Sequence, residues 1–243
     1  GFFSESSTNI ETKIAKQQAL LRIVKDSYAY LQNHSALETV VYAVSQLEDD
    51  ELFNAGIGSQ IQSDGKIRMS ASLMDGESQK MSGVINIEEV KNPIQVAQVL
   101  MQVDDRILGG SGATNFARKH GFEPFSTEIP QRRAEYEAKL ASLGTGTVGC
   151  VALDNNGKIA VATSTGGKGF EIPGRISDSA TVAGNYANEF CGVSLTGVGE
   201  DIVSNATAAK IVTRVTDGFS IEKAFEKTFA ELKPYDGFAG AIG

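Results

Sequence analysis

The part of the sequence that most restricts the fold is a strand–turn–strand unit in the second half of the chain. Residues 147–153 and 158–163 are two apolar runs of strand length, and Asp-Asn-Asn-Gly at 154–157 separates them. An Asn-Gly pair between two such runs is a strong β-hairpin signal. The hairpin returns the chain to the end of the sheet where Thr147 begins, so we expect the polar segment 163–167 to lie beside Thr147.

Thr147 could act as a nucleophile only if a base removed its hydroxyl proton. The chain has two histidines, His34 and His120, and both lie in helix-like segments, so a conventional histidine-based triad is not expected. A cut before Thr147 would supply the base, because the freed α-amino group has a pKa of roughly 7.7–8.0. Gly146 suits such a cut, since glycine tolerates strained backbone best. Gly144-Thr145 offers the same local chemistry, and most threonines at strand starts are ordinary strand formers.

Other polar residues follow at positions where a strand ends. Thr165 can hydrogen-bond the nucleophile, although the segment around it could also be an ordinary Ser/Thr-rich turn. Arg175 and Asp178 carry opposite charges that suit an α-amino acid, or they form a surface ion pair contributing about 0–1 kcal/mol. Thr196 and Gly197 end a later strand, where a hydroxyl and a backbone N–H could stabilise an oxyanion.

The remaining pattern predicts helices on both sides of the strands. Capping boxes at Thr8/Glu11 and Ser35/Glu38 indicate two opening helices, the first over residues 8–32 with apolar residues at helical spacing. Strands are expected at 67–74 and 81–87, helices from Pro93 and Gly112, a strand at 191–196, and closing helices up to 217 and over 220–233. The glycine cluster 109–112 lacks both nucleotide-binding fingerprints, which argues against a nucleotide site there. Residues 123–146 are charged and poorly patterned, and we interpret them as a linker in which the pattern weakly indicates a helix at 131–142.

Composition excludes several classes of protein. Hydrophobic residues make up 41% of the 243 residues and charged residues 21%, as in an ordinary globular domain. A net charge of -8 without a basic cluster argues against nucleic acid or anionic membrane as a partner. There is no apolar run of about 18 residues and no signal-peptide pattern, so we expect a cytoplasmic protein. Cys150 and Cys191 lie in apolar strand-like runs and are expected to be free thiols.

Several motifs together carry a resemblance to a known family. Residues 146–154, 162–167, 173–178 and 196–200 appear in the order found in the β subunit of plant-type L-asparaginases, also called isoaspartyl (β-aspartyl) peptidases. These enzymes are N-terminal nucleophile hydrolases. In the first half, segments 47–56 and 74–76 resemble the same family, so the resemblance covers nearly the whole chain. The family's opening strand and its last strands have no counterpart in this sequence.

The resemblance implies a fold and a maturation step. The expected fold is α/β (α+β), a four-layer αββα sandwich of the N-terminal nucleophile type, in one structural domain. Residues 1–146, ending in the linker at about 123–146, would be the α-subunit part, and 147–243 the β-subunit part. Cleavage between Gly146 and Thr147 would separate them, and two such αβ units would pair.

The resemblance also implies the role of each site residue. Thr147 would be nucleophile and, through its freed amino group, base, with Thr165 supporting it and Asn54 positioning it. Thr196 and Gly197 would form the oxyanion hole. Arg175 would bind the substrate α-carboxylate, while Asp178 and the backbone at Gly199 would hold its α-amino group. The resemblance implies no cofactor for catalysis. It does imply a structural sodium ion, which would be held by the backbone oxygens of Leu47, Glu48, Asp49, Asp50, Glu51, Leu52 and Phe53.

Two alternatives stay open at this point. An uncut homologue could be a binding or scaffold protein without catalysis, and a glycosylasparaginase-like enzyme would use the same nucleophile. Asparagine and β-aspartyl dipeptides present the same α-amino acid head, so the sequence does not rank them as substrates.

Overall fold

The computed structural model describes residues 10–138, 146–235 and 237–243. The first half contains α1 (Ile10–Leu31), α2 (Ala36–Glu48), β1 (Met69–Asp75), β2 (Lys80–Ile87), α3 (Pro93–Leu100), β3 (Ile107–Gly109), α4 (Gly110–Lys119) and α5 (Pro130–Glu137). The second half contains β4 (Val148–Leu153), β5 (Ile159–Thr165), a 3-10 turn (Asp178–Ala180), β6 (Asn185–Ala187), β7 (Gly192–Gly197), α6 (Gly199–Asn205), α7 (Thr207–Thr216), α8 (Ile221–Ala230) and β8 (Ala239–Ile242).

The strands form two sheets that face each other. The larger sheet has the order β3-β2-β1-β5-β4, with antiparallel neighbours except for the parallel pair β2–β3. The smaller sheet is β6-β7-β8 and is antiparallel. Strands β4 and β5 contact β7, while α2, α3 and α4 cover the outer face of the larger sheet and α7 covers the smaller one. The predicted αββα sandwich is therefore confirmed.

The hairpin β4–β5 is attached to the helical layer at its turn. Gly157 adopts a positive φ of 74° and donates its N–H to the carbonyl of Asp154. The Asp154 carboxylate accepts hydrogen bonds from the backbone of Asn156 and Lys158, and also from the Ala36 N–H at the start of α2. One aspartate therefore shapes the turn and caps the helix packed behind it, which fixes the hairpin relative to α2.

The layer between the sheets is partly polar. Large apolar clusters lie between the helices and each sheet, whereas the cluster between the sheets is small and centres on Met74, Val161 and Ala187. Beside it, the buried Thr163 hydroxyl lies 2.7 Å from the Ser194 hydroxyl of the other sheet and donates to Asn185 Oδ1 at 2.9 Å. Polar side chains therefore join the two sheets directly behind the start of β4.

Two predicted helices differ from expectation. The helix expected up to residue 217 is split into α6 and α7 by Ala206, which has a left-handed backbone with φ 50°. Helix α1 forms, but Ile10, Leu21 and Val24, whose spacing indicated it, are exposed, and its buried residues are Ala19, Ile23 and Ser27. The predicted capping residue Thr8 lies outside the described residues, while the Ser35/Glu38 capping box is present.

Other expectations were met in part. Cys150 and Cys191 are both free. No helix in the described part of the chain is long and apolar enough to cross a bilayer. The segment interpreted as a linker contains α5, and residues 139–145 within it lie outside the described ranges.

Candidate active site

Thr147 stands immediately before β4 and meets Thr165 at the end of β5. The antiparallel register pairs Val148 with Ser164, which brings the two threonines side by side. The Thr147 hydroxyl donates to Thr165 Oγ1 at 3.2 Å, and the Gly167 N–H donates to the same oxygen at 3.2 Å. Thr147 is half-buried, so its hydroxyl is held in place and is still accessible.

Asn54 joins the two segments on either side of the nucleophile. Its Nδ2 donates to the carbonyl of Gly167 at 2.5 Å, and its Oδ1 accepts from the N–H of Gln60 at 2.9 Å. Its backbone N–H donates to the Gly146 carbonyl at 3.3 Å, and its own carbonyl accepts from Gly166 at 2.9 Å. Three of these hydrogen bonds therefore position Gly146 and the turn after Thr165, and the fourth fixes the Asn54 side chain within its own loop.

Gly146 lies directly against Asn54. A Cβ at this position would stand 2.6 Å from the Cβ of Asn54, so a larger residue would push the two segments apart. The hydrogen bond from the Asn54 N–H polarises the Gly146 carbonyl, which belongs to the peptide bond that a cut before Thr147 would break. The Gly144-Thr145 pair lies outside the described residues.

Thr196 lines the same cavity as Thr147, and Gly197 follows it as the last residue of β7. The cavity has a volume of about 200 Å³ and is lined by Thr147, Thr196, Ser194 and the segments 148–149 and 240–242. The Thr196 hydroxyl oxygen is buried and has no hydrogen-bond partner in the described structure. A buried hydroxyl without a partner costs roughly 1–3 kcal/mol, so a ligand group that reached this oxygen would supply the missing hydrogen bond.

Arg175, Asp178 and Gly199 form one cluster. A Cβ on Gly199 would lie 2.9 Å from both Arg175 Nη2 and Asp178 Oδ1, so only glycine lets the start of α6 approach both charges. Asp178 is buried, and its Oδ2 atom has no hydrogen-bond partner within residues 10–138, 146–235 and 237–243. Burial raises the pKa of Asp178 to about 7, although the nearby Arg175 acts in the opposite direction.

Arg175 pairs with Glu200, a residue to which the sequence motifs assigned no role. Its Nε and Nη2 donate to the two carboxylate oxygens of Glu200 at 2.6 and 2.8 Å. The hydrogen bonds from Arg175 lower the pKa of Glu200 to about 2. Lys168 Nζ also lies 3.9 Å from Glu200. The position of Glu200 beside Gly199, within the motif 196–200, was the one sequence signal for this contact.

The loop after α2 presents backbone oxygens rather than side chains. The carbonyl oxygens of Glu51 and Phe53 both lie close to Gly58, where a Cβ would be 2.7 and 2.8 Å from them. The Glu48 carbonyl accepts the Ile57 N–H at 2.7 Å. No group of three or more His, Cys, Asp or Glu side chains suited to a metal occurs among the described residues. Peptide oxygens fit a hard cation such as sodium, so the residues present are compatible with the implied ion.

Comparisons with known proteins identify the family of the chain. The asparaginase family model matches residues 3–142 and 125–243. The chain is 45% identical to an "Isoaspartyl peptidase/L-asparaginase" from Nostoc sp., over 94% of this chain and 78% of the relative. It is 46% identical to a protein of the same name from Synechocystis sp., over 93% and 74%. An "Isoaspartyl peptidase" from Escherichia coli is 35% identical, over 100% and 83%. The chain therefore belongs to the asparaginase family of hydrolases.

Proposed function

We propose that this protein cuts itself before Thr147 and then hydrolyses the side-chain amide of L-asparagine, the β-aspartyl bond of isoaspartyl dipeptides, or both. The observation that carries the proposal is the contact of the Thr147 hydroxyl with Thr165 beside a Gly146 carbonyl that accepts the Asn54 N–H. The names of the relatives identify asparagine and isoaspartyl peptides as substrates in the family.

Self-cleavage follows from the same atoms. The Thr147 oxygen attacks the Gly146 carbonyl while the Asn54 N–H stabilises the developing oxyanion. The amide C–N bond breaks, the nitrogen takes the proton that the Thr147 hydroxyl gives up, and an ester links Gly146 to the Thr147 oxygen. Water then hydrolyses this ester, which leaves a carboxylate on Gly146 and a free α-amino group on Thr147.

Substrate hydrolysis repeats this chemistry with the new amino group as the base. The amino group accepts the Thr147 hydroxyl proton as the oxygen attacks the side-chain carbonyl of the substrate. The Thr196 hydroxyl and the Gly197 N–H would donate to the oxyanion. Collapse of this intermediate expels ammonia or an amino acid, which takes the proton from the ammonium group. Water then cleaves the acyl ester and releases aspartate.

The charged cluster would hold the amino acid head of the substrate. Arg175 keeps donors beyond those bonded to Glu200 and would bind the α-carboxylate. Asp178 has an unpaired, buried carboxylate oxygen and would accept a hydrogen bond from the α-ammonium group, whose positive charge favours the ionised form of Asp178. This arrangement explains how one site serves two substrates with the same head and different leaving groups.

The decisive experiment compares Thr147→Ala with Thr145→Ala, which changes the neighbouring Gly-Thr pair. We expect the wild type and Thr145→Ala to give fragments of 146 and 97 residues on a denaturing gel and to hydrolyse β-aspartyl-leucine. Thr147→Ala should stay uncut and inactive. A Thr147→Ala variant that still matures and hydrolyses the dipeptide would overturn the proposal.

The same assay separates the alternatives. A purified wild type that is never cut but binds aspartate would be the non-catalytic homologue. Rates on asparagine, β-aspartyl-leucine and N-acetylglucosaminyl-asparagine, measured side by side, would rank the three amide classes. Turnover of only the glycosylated substrate would favour the glycosylasparaginase alternative.

We further propose that a sodium ion is held by backbone oxygens in the loop 47–53. The carbonyl oxygens of Glu51 and Phe53 lie close to the same point beside Gly58, which supports this assignment. The unfolding temperature should be higher in sodium chloride than in choline chloride at equal ionic strength. Equal temperatures in the two salts would argue against the ion.

Finally, we propose that two processed αβ units pair. The family resemblance supports this, as do the exposed apolar side chains Ile10, Leu21 and Val24 on α1. Sedimentation should then give twice the mass of one 25.7 kDa chain, whereas a single-chain mass would contradict pairing.

A further inference from the structure

Glu48, the last residue of α2, places a carboxyl group at the junction of three elements. Its side chain is fully buried, with no exposed surface. Its Oε1 accepts a hydrogen bond of 2.6 Å from the Ser164 hydroxyl of β5 and one of 3.1 Å from the Ile94 N–H of α3. A carboxyl group is rarely buried this completely without hydrogen bonds, because moving an unpaired polar group out of water is costly.

The hydrogen bond to Ser164 acts on the residue next to Thr165. Side chains alternate along a strand, so Ser164 points toward the helices while Thr163 and Thr165 point toward the other sheet. Thr163 meets Ser194 there, which agrees with this alternation. Glu48 therefore holds β5 from behind, one residue before the group that hydrogen-bonds Thr147.

The bond to Ile94 fixes the carboxyl itself. Ile94 is the second residue of α3, and the N-cap Asn92 makes no capping hydrogen bond with its side chain. Glu48 thus satisfies an N–H that the helix start would otherwise leave free, and the helix dipole favours a negative or polar oxygen at this end. The carboxyl oxygen is consequently anchored to a rigid helix.

The main chain of Glu48 anchors the other support of the nucleophile. Its carbonyl accepts the Ile57 N–H at 2.7 Å and thereby closes the loop that contains Asn54. Asn54 in turn bonds Gly146 and Gly167. The side chain of Glu48 thus acts on Thr165, and its backbone acts on Asn54.

We propose that Glu48 is a positioning residue that sets where Thr165 and Asn54 stand relative to Thr147, with the Ser164 hydroxyl as its link to β5. This inference rests on the function proposed above. Loss of the link displaces Thr165 and slows both self-cleavage and turnover. Substrate affinity changes little, because Arg175 and Asp178 are on a different segment of the chain.

The role requires a hydrogen-bond acceptor and no negative charge. Both hydrogen bonds that Glu48 Oε1 makes are accepted ones, from a hydroxyl and from a backbone N–H, and neither needs a charged acceptor. A glutamine at this position offers a carbonyl oxygen of the same reach, which can accept both hydrogen bonds. Glu48→Gln should therefore rescue what Glu48→Ala loses.

The test compares Ser164→Ala, Glu48→Ala and Glu48→Gln with Ser82→Ala as a matched control. Ser82 is also fully buried in the larger sheet and donates a 2.6 Å hydrogen bond, to the Ala97 carbonyl of α3, away from Thr147. We expect kcat to fall about tenfold in Ser164→Ala and more in Glu48→Ala, with KM changing less than about twofold. Glu48→Gln and Ser82→Ala should keep kcat near that of the wild type.

Each result decides the matter. If Ser164→Ala and Ser82→Ala share the kcat of the active wild type, or if Glu48→Gln is as slow as Glu48→Ala, the positioning role is wrong. Ser164→Ala decides alone if Glu48→Ala does not fold. A wild type that neither cuts itself nor hydrolyses β-aspartyl-leucine overturns the proposed function, and the positioning role with it.

Discussion

The two sides of Thr147 differ in how their polar groups are satisfied. On the side of the large sheet, Thr165 and Asn54 have their hydrogen bonds made within the protein. On the other side, the Thr196 hydroxyl oxygen and Asp178 Oδ2 are buried without a partner among the described residues, whereas on the large-sheet side Glu48 Oε2, behind β5, shares that condition. Buried polar groups are normally paired, so unpaired ones in a native structure require an explanation.

This difference separates the groups that hold the nucleophile in place from the groups that would bind the substrate. Groups with complete hydrogen bonds fix the geometry of the nucleophile and contribute to stability. Groups without partners lower stability in the free protein and gain their partners from a substrate or a transition state. Mutations on the two sides should therefore affect activity and stability in opposite combinations, which the following measurements can test.

Thr196→Val should give the largest change in rate. Valine has the shape of threonine without the hydroxyl, so the oxyanion would lose one donor. We expect kcat to fall by about 10²–10³ while the unfolding temperature stays equal or rises, because a buried unpaired hydroxyl is removed. Steady-state kinetics and thermal melts measure the two effects. A loss of stability together with a normal kcat would mean that the Thr196 hydroxyl supports the fold and does not donate to the oxyanion.

Asp178→Asn should weaken binding of the amino acid head. Hydrogen bonds to charged groups are worth about 1.5–3 kcal/mol, so kcat/KM should fall by about 10- to 100-fold. Because burial raises the pKa of Asp178 to about 7, its neutral form stabilises the folded state at low pH and this stability is lost as pH rises through 7.

The melting temperature of Asp178→Asn should therefore exceed that of the wild type above pH 7 and approach it near pH 4. Melts across this range provide the check. A variant that is destabilised at every pH and binds substrate normally would mean that Asp178 supports the fold rather than binds the substrate.

Asn54→Ala should change activity less than the two variants above, and it should lower the stability of the protein rather than raise it. It leaves the Gly167 carbonyl and the Gln60 N–H without partners, so the free energy of unfolding should fall by about 1–3 kcal/mol. Self-cleavage should also slow. Urea titration measures the first effect and a time course on a denaturing gel the second. Asn33→Ala, at an exposed position, is the control and should change stability by less than about 0.5 kcal/mol.

Glu48→Gln should have the smallest effect on activity, while changing how stability depends on pH. Burial holds the pKa of Glu48 near 8, against the polar contacts of Ser164, Ile94 and Asn92 and with a small contribution from Asp49. Because the pKa is raised in the folded state, the stability that the neutral carboxyl contributes to the fold is lost as the pH rises from about 5 to 8. The variant should therefore melt above the wild type increasingly over this range, and parallel melting curves at all pH values would contradict it.

Local pattern predicted the hairpin and therefore the meeting of Thr147 with Thr165. Only the five residues 154–158 separate the two strands, so alternation and an Asn-Gly signal define their register. The position of Asn54 came from the family resemblance alone, because its partner Gly167 is 113 residues away. The break at Ala206 was missed, since a left-handed alanine has no propensity signal.

The sequence by itself determined the hairpin, the Gly146-Thr147 pair at its head, the alternation of helices and strands, and the acidic balance that disfavours nucleic acid. These features depend on residues that are neighbours in the chain. Only the tertiary structure decided that Arg175 pairs with Glu200, that Asp178 keeps an unpaired oxygen, and that Glu48 is buried beneath β5. Burial and hydrogen-bond partners depend on segments brought together from distant parts of the chain, and desolvation then sets the pKa of each carboxyl group.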